Sequence, residues 1–264
     1  MLAPQRRALI MDLVNREGVV RVAELAARLG VSDMTVRRDL DALARDKVLE
    51  KVHGGAMALT GARADEPGFE AKSSLESGAK AAIAAAAAAL VTPGSVIALS
   101  GGTTTHAIAA LLLNVPHLTV VTNSLPVAGV LAATGEQRAD APVLLLTGGT
   151  PTRSAALVGA IADQALTSIH VDLLILGAHG VSEKAGLTTP NLAEAQTNRA
   201  LIAAAARVAV VADHTKWGVI GLSSFARLDE VDCFVTDEGL PARARAVLAE
   251  AVGELVIAPA SLPA

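Results

Sequence analysis

Two glycines followed by three threonines, Gly101-Gly102-Thr103-Thr104-Thr105, come directly after the apolar run SVIAL and open a stretch of helical composition. Glycine lets backbone approach a ligand closely, a helix N-terminus presents amide donors without helical partners, and hydroxyls add more donors. Together these make a cradle for a phosphate. The same residues also suit a tight strand-to-helix turn capped by a threonine. The run has neither the lysine of a P-loop nor the spacing of a dinucleotide fingerprint, which disfavours a nucleoside triphosphate or a dinucleotide. Polar residues recur where other apolar runs end: Asn123 and Ser124 after LTVVT, Gly148 and Gly149 after VLLLT, Gly177, Ala178, His179 and Gly180 after DLLIL, and Asp213 with Lys216 after VAVVA. In open parallel sheets ligands bind beyond the carboxyl ends of strands, so these positions are expected to converge. Lys216 is the best cation for a phosphate, and Asp213 the best acceptor for sugar hydroxyls. Glu194, after TTPN, either reaches the same mouth or is a surface helix charge. His179 either contacts the ligand or caps its turn.

A second set of chemically capable residues lies in SDMTVRRDLDAL, residues 32–43. Val36, Leu40 and Leu43 make one apolar stripe of a helix, which turns Met34, Thr35, Arg37 and Arg38 outward near its N-terminus, where a recognition helix meets base edges. Ser32 suits the N-cap, with Asp33 well placed against the helix dipole. Arginine can fork onto guanine or clamp a phosphate, whereas Asp39 repels DNA and is expected to orient an arginine through a salt bridge. Two further apolar stripes precede this helix, Leu9/Ile10/Leu13/Val14 and Val22/Leu25/Ala26/Leu29, the second ended by Gly30. The short turn between the second and third stripes gives helix-turn-helix spacing. After them VLEKVHGGA reads as a short strand pair, a wing carrying Lys51 and His53.

Charge supports placing any nucleic-acid contact in this segment. The whole chain is at −4, yet residues 1–58 sum to +2 and residues 59–264 to −6. The composition shifts at 59–68, a Gly, Pro and mixed-charge linker. Beyond it, SVIAL, LTVVT, PVLLL, DLLIL, VAVVA, DCFVT and ELVIA alternate with alanine-rich helical stretches at 104–113, 191–206 and 240–251. That pattern predicts a largely parallel sheet with helices on both faces. The expected organisation is a winged helix-turn-helix domain at 1–58, a linker at 59–68 and an α/β domain at 69–264. Alanine-heavy helices bury little area per residue, so part of the core is expected to be completed at a subunit interface.

Several classes are disfavoured. The longest apolar run, Ala81–Val91, is far short of the ~20 residues a bilayer requires. The opening MLAPQRRALIMDLVNRE has no signal-peptide pattern, which leads to the expectation of a cytoplasmic protein. Cys233 is the single cysteine and no two of the six histidines stand three to five apart, so neither a disulfide framework nor a metal site is expected. With no tyrosine, one tryptophan and three phenylalanines, stacking platforms for single-stranded nucleic acid are nearly absent. No cofactor is expected.

Arg6, Ile10, Val14, Ser32, the run Thr35-Val36-Arg37-Arg38-Asp39-Leu40 and His53-Gly54-Gly55-Ala56 closely resemble the DNA-binding domain of DeoR-family transcriptional regulators. The resemblance continues through GGTTT (101–105), VVTNSLPVA (120–128), LTGGT (146–150), LVGAIAD (157–163), GAHGVSEKAGLTTPNLAEAQTNRALI (177–202) and VVADHTKWG (210–218), in the family's order. It implies a small, all-α winged helix-turn-helix domain followed by an α/β domain like the ribose-phosphate isomerase and CoA-transferase fold. It further implies a repressor of a carbohydrate catabolism operon, bound to double-stranded operator DNA and relieved by a phosphorylated sugar. Where relatives often have Asp-Ser-Gly-Thr-Thr-Thr, this chain has Leu99-Ser100-Gly101-Gly102-Thr103-Thr104-Thr105, without the acid. Reading a palindrome takes two copies, so a homodimer or homotetramer is expected. The alternative is a sugar-phosphate isomerase or deaminase with an appended DNA-binding domain, with Asp213, Glu194 and Lys216 as candidates for the general base and the electrophile that isomerisation needs.

Overall fold

The computed structural model describes residues 3–17, 19–45, 49–52, 54–57, 68–133 and 141–259. The chain divides into two compact units, Met1–Arg63 and Ala64–Ala264. The expected linker at 59–68 lies outside the described residues except for Gly68.

Unit 1 runs α1 (Ala3–Glu17), β1 (Val19–Arg21), α2 (Val22–Leu29), α3 (Asp33–Arg45), β2 (Glu50–Val52) and β3 (Gly55–Met57). Apolar stripes at helical spacing explain the packing: Ile10 and Val14 of α1, Leu25 and Ala26 of α2, and Val36, Leu40 and Leu43 of α3 enclose one small core with Val20, Leu49 and Ala56. Gly30 ends α2 in the left-handed region at φ 64°, its amide donating to Ala26 O, a conformation that a residue with a β-carbon adopts only at a cost. Ser32 then caps α3, its hydroxyl accepting from the Thr35 amide at 3.3 Å. The strands form an antiparallel sheet in the order β1-β3-β2. The sequence predicts only the β2–β3 pair and an all-α domain around it. The structure corrects this with β1, three residues whose apolar character merges in sequence with the stripe of α2.

Unit 2 begins with α4 (Phe69–Ser73) and α5 (Ser77–Ala88), followed by β4 (Val96–Leu99), α6 (Thr103–Leu112), β5 (Thr119–Thr122), α7 (Leu125–Ala132) and β6 (Val143–Leu146). A small hairpin, β7 (Thr150–Pro151) and β8 (Leu157–Val158), leads to α8 (Ala160–Leu166) and β9 (Leu173–Gly177). Then come β10 (Gly180–Ser182), β11 (Gly186–Thr189), α9 (Leu192–Ala203), β12 (Val208–Val211), β13 (Ser223–Ala226), β14 (Cys233–Asp237), α10 (Ala242–Ala251) and β15 (Leu255–Ala258). Among the described residues the main sheet has seven strands in the order β15-β14-β12-β9-β4-β5-β6, and every pairing is parallel. All seven predicted apolar runs are its strands. A second sheet, β10-β11-β13, is antiparallel and lies outside the βα pattern.

Alternate side chains of the inner main strands enter two cores. Ile97, Leu99, Ile175, Ala209 and Val211 pack with Ile83 of α5 and Ile108 of α6 on one side. Ala98, Leu174, Leu176, Val210 and Phe234 pack with Leu201 of α9 and Leu248 of α10 on the other. Cys233 is fully buried in β14, in keeping with a small apolar residue. The strand order carries the functional consequence. The chain builds outward from β4 through β5 to β6, then returns to place β9 on the other side of β4. The order therefore reverses between β4 and β9, and the connections leave their carboxyl ends in opposite directions to open a crevice there.

Candidate functional site

On α3 the apolar positions are buried while Met34 (61% exposed), Arg37 and Arg38 face outward and Thr35 is half-buried. Asp39, only 2% exposed, accepts from Arg7 Nε at 3.1 Å and also pairs with Arg6 Nε. The aspartate therefore fastens α3 to the arginines of α1 and is buried away from the exposed Arg37 and Arg38. Lys51 on β2 is ion-paired with Asp41 of α3, and that hydrogen bond holds the Asp41 carboxyl below the usual carboxylate range. Lys51 thus ties the wing strand to the recognition helix as well as adding charge. His53 lies outside the described residues.

In unit 2 the crevice between β4 and β9 is built from backbone and hydroxyls. Ser100 follows β4, where its amide donates to Ile175 O at 3.1 Å and its hydroxyl accepts from the Gly177 amide at 3.0 Å. Thr105 Oγ1 donates to Ser100 O at 2.7 Å and to Gly102 O at 3.0 Å, folding the GGTTT loop onto the first turn of α6. Asn123, 1% exposed at the end of β5, accepts from the Gly101 amide at 3.1 Å and donates to Leu157 O at 3.0 Å. A β-carbon on Gly101 would stand 2.6 Å from the Ala156 methyl, which explains the glycine. Thr103 remains partly exposed at the helix N-terminus, while Thr104 and Thr105 are buried.

Charged residues stand at the carboxyl ends of β12 and β14 and on the first turn of α9. Asp213, buried after β12, accepts from the Thr215 amide at 3.0 Å and caps the 3-10 turn His214–Lys216, and Lys216 Nζ stands 3.9 Å from its other oxygen. His214 Nδ1 is 2.7 Å from Asp237 Oδ2 at the end of the neighbouring β14. Glu194 is not a surface charge. It is buried and accepts from Thr152 Oγ1 at 2.6 Å, Ser154 Oγ at 2.5 Å and Thr189 Oγ1 at 3.0 Å. Burial pushes His179 down to about 4, helped by the fields of Lys216 and Lys72 and opposed by Glu194, so the imidazole is neutral near pH 7. His179, Lys216 and Glu194 therefore share one electrostatic environment.

Hydrogen bonds join the Gly101–Thr105 loop to Asn123 and, through Ser100, to Gly177, while His179 lies in the fields of Lys216 and Glu194. Other residues of the expected set have structural roles of their own. Ser124 is fully buried, its hydroxyl accepting from the Val127 amide at 3.3 Å as the N-cap of α7. Gly148 and Gly149 follow the edge strand β6, away from the strand reversal, and their φ values of 74° and 117° mark the turn into the β7–β8 hairpin. Gly180 is a packing glycine, since a β-carbon there would collide with Val219 O. Asn123 positions the loop through its bonds to Gly101 and Leu157.

Sequence reasoning passed over Ser100, Thr152, Ser154, Thr189 and Lys80. Lys80 is 6% exposed on α5, its Nζ donating to Lys72 O and Leu75 O, each at 2.5 Å. Its signal was a single lysine set in an otherwise alanine-rich helix. The hydroxyls gave none, because they converge from three separate elements. Among the described residues no group of three or more His, Cys, Asp or Glu side chains is arranged to hold a metal ion, and no helix is long and apolar enough to cross a membrane.

Comparison with known proteins agrees with this division of labour. The DeoR-like helix-turn-helix domain matches residues 6–61, and the DeoR C terminal sensor domain matches residues 75–238. The chain is 36% identical to the uncharacterized HTH-type transcriptional regulator YgbI of Escherichia coli K12 over 98% of its own length and 99% of that protein. It is 33% identical to the putative aga operon transcriptional repressor of Escherichia coli O157:H7, covering 96% and 93%. With the glycerol-3-phosphate regulon repressor of Escherichia coli K12 the identity is 31%, covering 95% and 97%. Among solved structures, ribose 5-phosphate isomerase A of Methanocaldococcus jannaschii is 20% identical with a TM-score of 0.37, covering 52% of this chain and 53% of that one. With both domain models matched in order and relatives above 30% identity along nearly the whole length, the chain belongs to the DeoR family of transcriptional regulators.

Proposed function

We propose that this regulator is a sequence-specific repressor of a carbohydrate catabolism operon, released from its operator by a phosphorylated sugar held in the β4–β9 crevice. Residues 1–58 bind duplex DNA through α3 and the wing, 59–68 link, and 69–264 bind the effector. Relatives named as repressors of an aga operon and of a glycerol-3-phosphate regulon favour the sign and the effector class. The observation that carries the reading is the crevice itself: a helix N-terminus with a partly exposed threonine at the strand reversal, together with a histidine whose proton is disfavoured by burial and by the fields of Lys216 and Lys72. Anions are what such a site favours. Asp213 and the hydroxyl-bonded Glu194 supply acceptors for sugar hydroxyls.

The protein acts without turnover in this reading. An isomerase needs a general base able to reach a substrate carbon. Here Glu194 holds three hydroxyls and Asp213 caps a turn, so both carboxylates are engaged in structure. The working form is a cytoplasmic homodimer or homotetramer on a palindromic operator. The test is a gel shift on the DNA flanking the protein's own gene, challenged with ribose, glucosamine and tagatose phosphates and with the matching free sugars. Release by one phosphate and by no free sugar, with all substrates recovered unchanged, is the expected result. Turnover of any of them would return the isomerase or deaminase alternative.

A further inference from the structure

The two edges of the main sheet differ. β15 is half-buried, whereas β6, made of Val143, Leu144, Leu145 and Leu146, is exposed at every residue but Leu144. Leu144 packs into the core that Val127 and Leu131 of α7 close. By the alternation of a strand, Val143 and Leu145 point to the other face, where they are 56% and 46% exposed. Ile161 of α8 extends this surface: it is exposed, and its Cγ2 lies 3.3 Å from where a β-carbon on Gly148 would stand, two residues past β6. The sequence is also poor in charge here. Between Lys80 and Arg153 its only Asp, Glu, Lys or Arg residues are Glu136, Arg138 and Asp140, although residues 59–264 sum to −6.

A bare apolar edge strand is a template for another strand, and proteins guard such edges with charge or proline. β6 contains neither. Val143 and Thr147 donate their amides inward, to Leu118 O at 2.8 Å and Thr122 O at 3.0 Å, so Leu144 and Leu146 turn theirs outward, where no strand pairs with them among the described residues. Identical strands related by a two-fold axis pair antiparallel, and the sequence limits the register. With Leu145 on the axis, Leu144 stands opposite Leu146 of the copy and every outward group of both is used. One step back sets Leu146 opposite Pro142, which has no amide to donate, and one step forward sets Leu144 opposite Gly148, which is in a turn at φ 74°. Val143 and Leu145 are then covered, and copies meeting where charge is sparse avoid the repulsion that the −6 of residues 59–264 would raise elsewhere. We infer that β6 is the interface between two copies of this chain, pairing antiparallel with itself about Leu145 and joining two main sheets into one. The inference rests on the oligomeric form proposed above and gives it a surface.

The experiment is sedimentation equilibrium of the full-length protein, joined to disulfide trapping. The wild type should be oligomeric. Leu145→Glu sets two carboxylates together on the axis and should halve the mass, raising the dissociation constant by about a hundredfold. Leu222→Glu, at a comparably exposed leucine beside β13, should leave the mass unchanged. Under mild oxidation Leu145→Cys should join two chains through a reducible disulfide, because opposed residues without mutual hydrogen bonds have Cα atoms about 4.5 Å apart. Val143→Cys, four residues out of register with its copy, should not cross-link, and the native Cys233 is buried. Unchanged mass in Leu145→Glu would overturn the β6 interface and leave the oligomeric reading standing. A monomeric wild type would overturn both and give the surface to a different partner. Failure of Leu145→Cys to cross-link would overturn the pairing about Leu145. The cysteine variants decide the matter even if Leu145→Glu does not fold.

Discussion

The amide of Gly177 donates to the hydroxyl of Ser100 at 3.0 Å, joining the carboxyl end of β9 to that of β4 at the place where the strand order reverses. Four residues of β4 and five of β9 are thus closed into the floor of a crevice by one side chain. Gly101 completes that floor because nothing larger fits against Ala156. Gly101→Ala should overpack the loop and cost about 1–3 kcal/mol, weakening effector affinity without touching the charged residues. Chemical denaturation and calorimetry check it; an unchanged midpoint would mean that the loop has room to shift.

The recognition helix makes a separate claim. Arg37 and Arg38 are exposed, so replacing either with alanine should leave the fold intact and cost ~1–3 kcal/mol of specific DNA affinity. Operator binding that survives the double substitution at wild-type strength in a gel shift would remove α3 from the interface.

Asp39 and Asp41 share that helix and should behave differently. Asp39→Asn strands the guanidiniums of Arg6 and Arg7 beside a neutral, buried amide and should destabilise unit 1 by about 3 kcal/mol. Asp41→Asn breaks only an exposed pair with Lys51 and should leave denaturation unchanged. Equal effects of the two substitutions would contradict the assignment of Asp39 as the residue that docks α3 on α1.

The main sheet was legible in the sequence because parallel strands buried on both faces read as short apolar runs, and all seven did so. The β10-β11-β13 sheet was not, since runs such as GVS and GLTT are small and polar and owe their extended form to partners distant in sequence. The same contrast holds for the site. Gly101–Thr105 and Lys216 could be placed from strand ends alone. Glu194 could not, because what makes it a buried carboxylate is a set of hydroxyls on the β7–β8 hairpin and on β11. Gly148 and Gly149 stand in a turn at positive φ, a requirement that residue type alone does not reveal. Lys80 was hidden among alanines that gave no hint of which face of α5 is covered.

Acid should act through His179. Its folded value of about 4 lies below the ordinary 6.5, so the unfolded chain takes up the proton first. The resulting stability is whole above pH 6.5 and is lost as pH falls from there toward 4. Between pH 7.5 and 5 this one group should cost unit 2 about 2 kcal/mol, and His179→Gln should flatten that part of the profile. Titration of the His179 ring by NMR near 6.5 would contradict the burial and the lysine field together.

The central claim is that the crevice is the switch. Calorimetry of a sugar-phosphate panel against the full-length protein, alone and saturated with operator DNA, tests it most directly. Linkage requires that an effector which releases DNA bind more weakly by the same factor when DNA is present. The account predicts one phosphate that binds, weakened at least severalfold by operator, and a Lys216→Met variant that keeps operator affinity but loses this ligand. Equal ligand affinity with and without operator would show that the crevice, though occupied, does not control DNA binding.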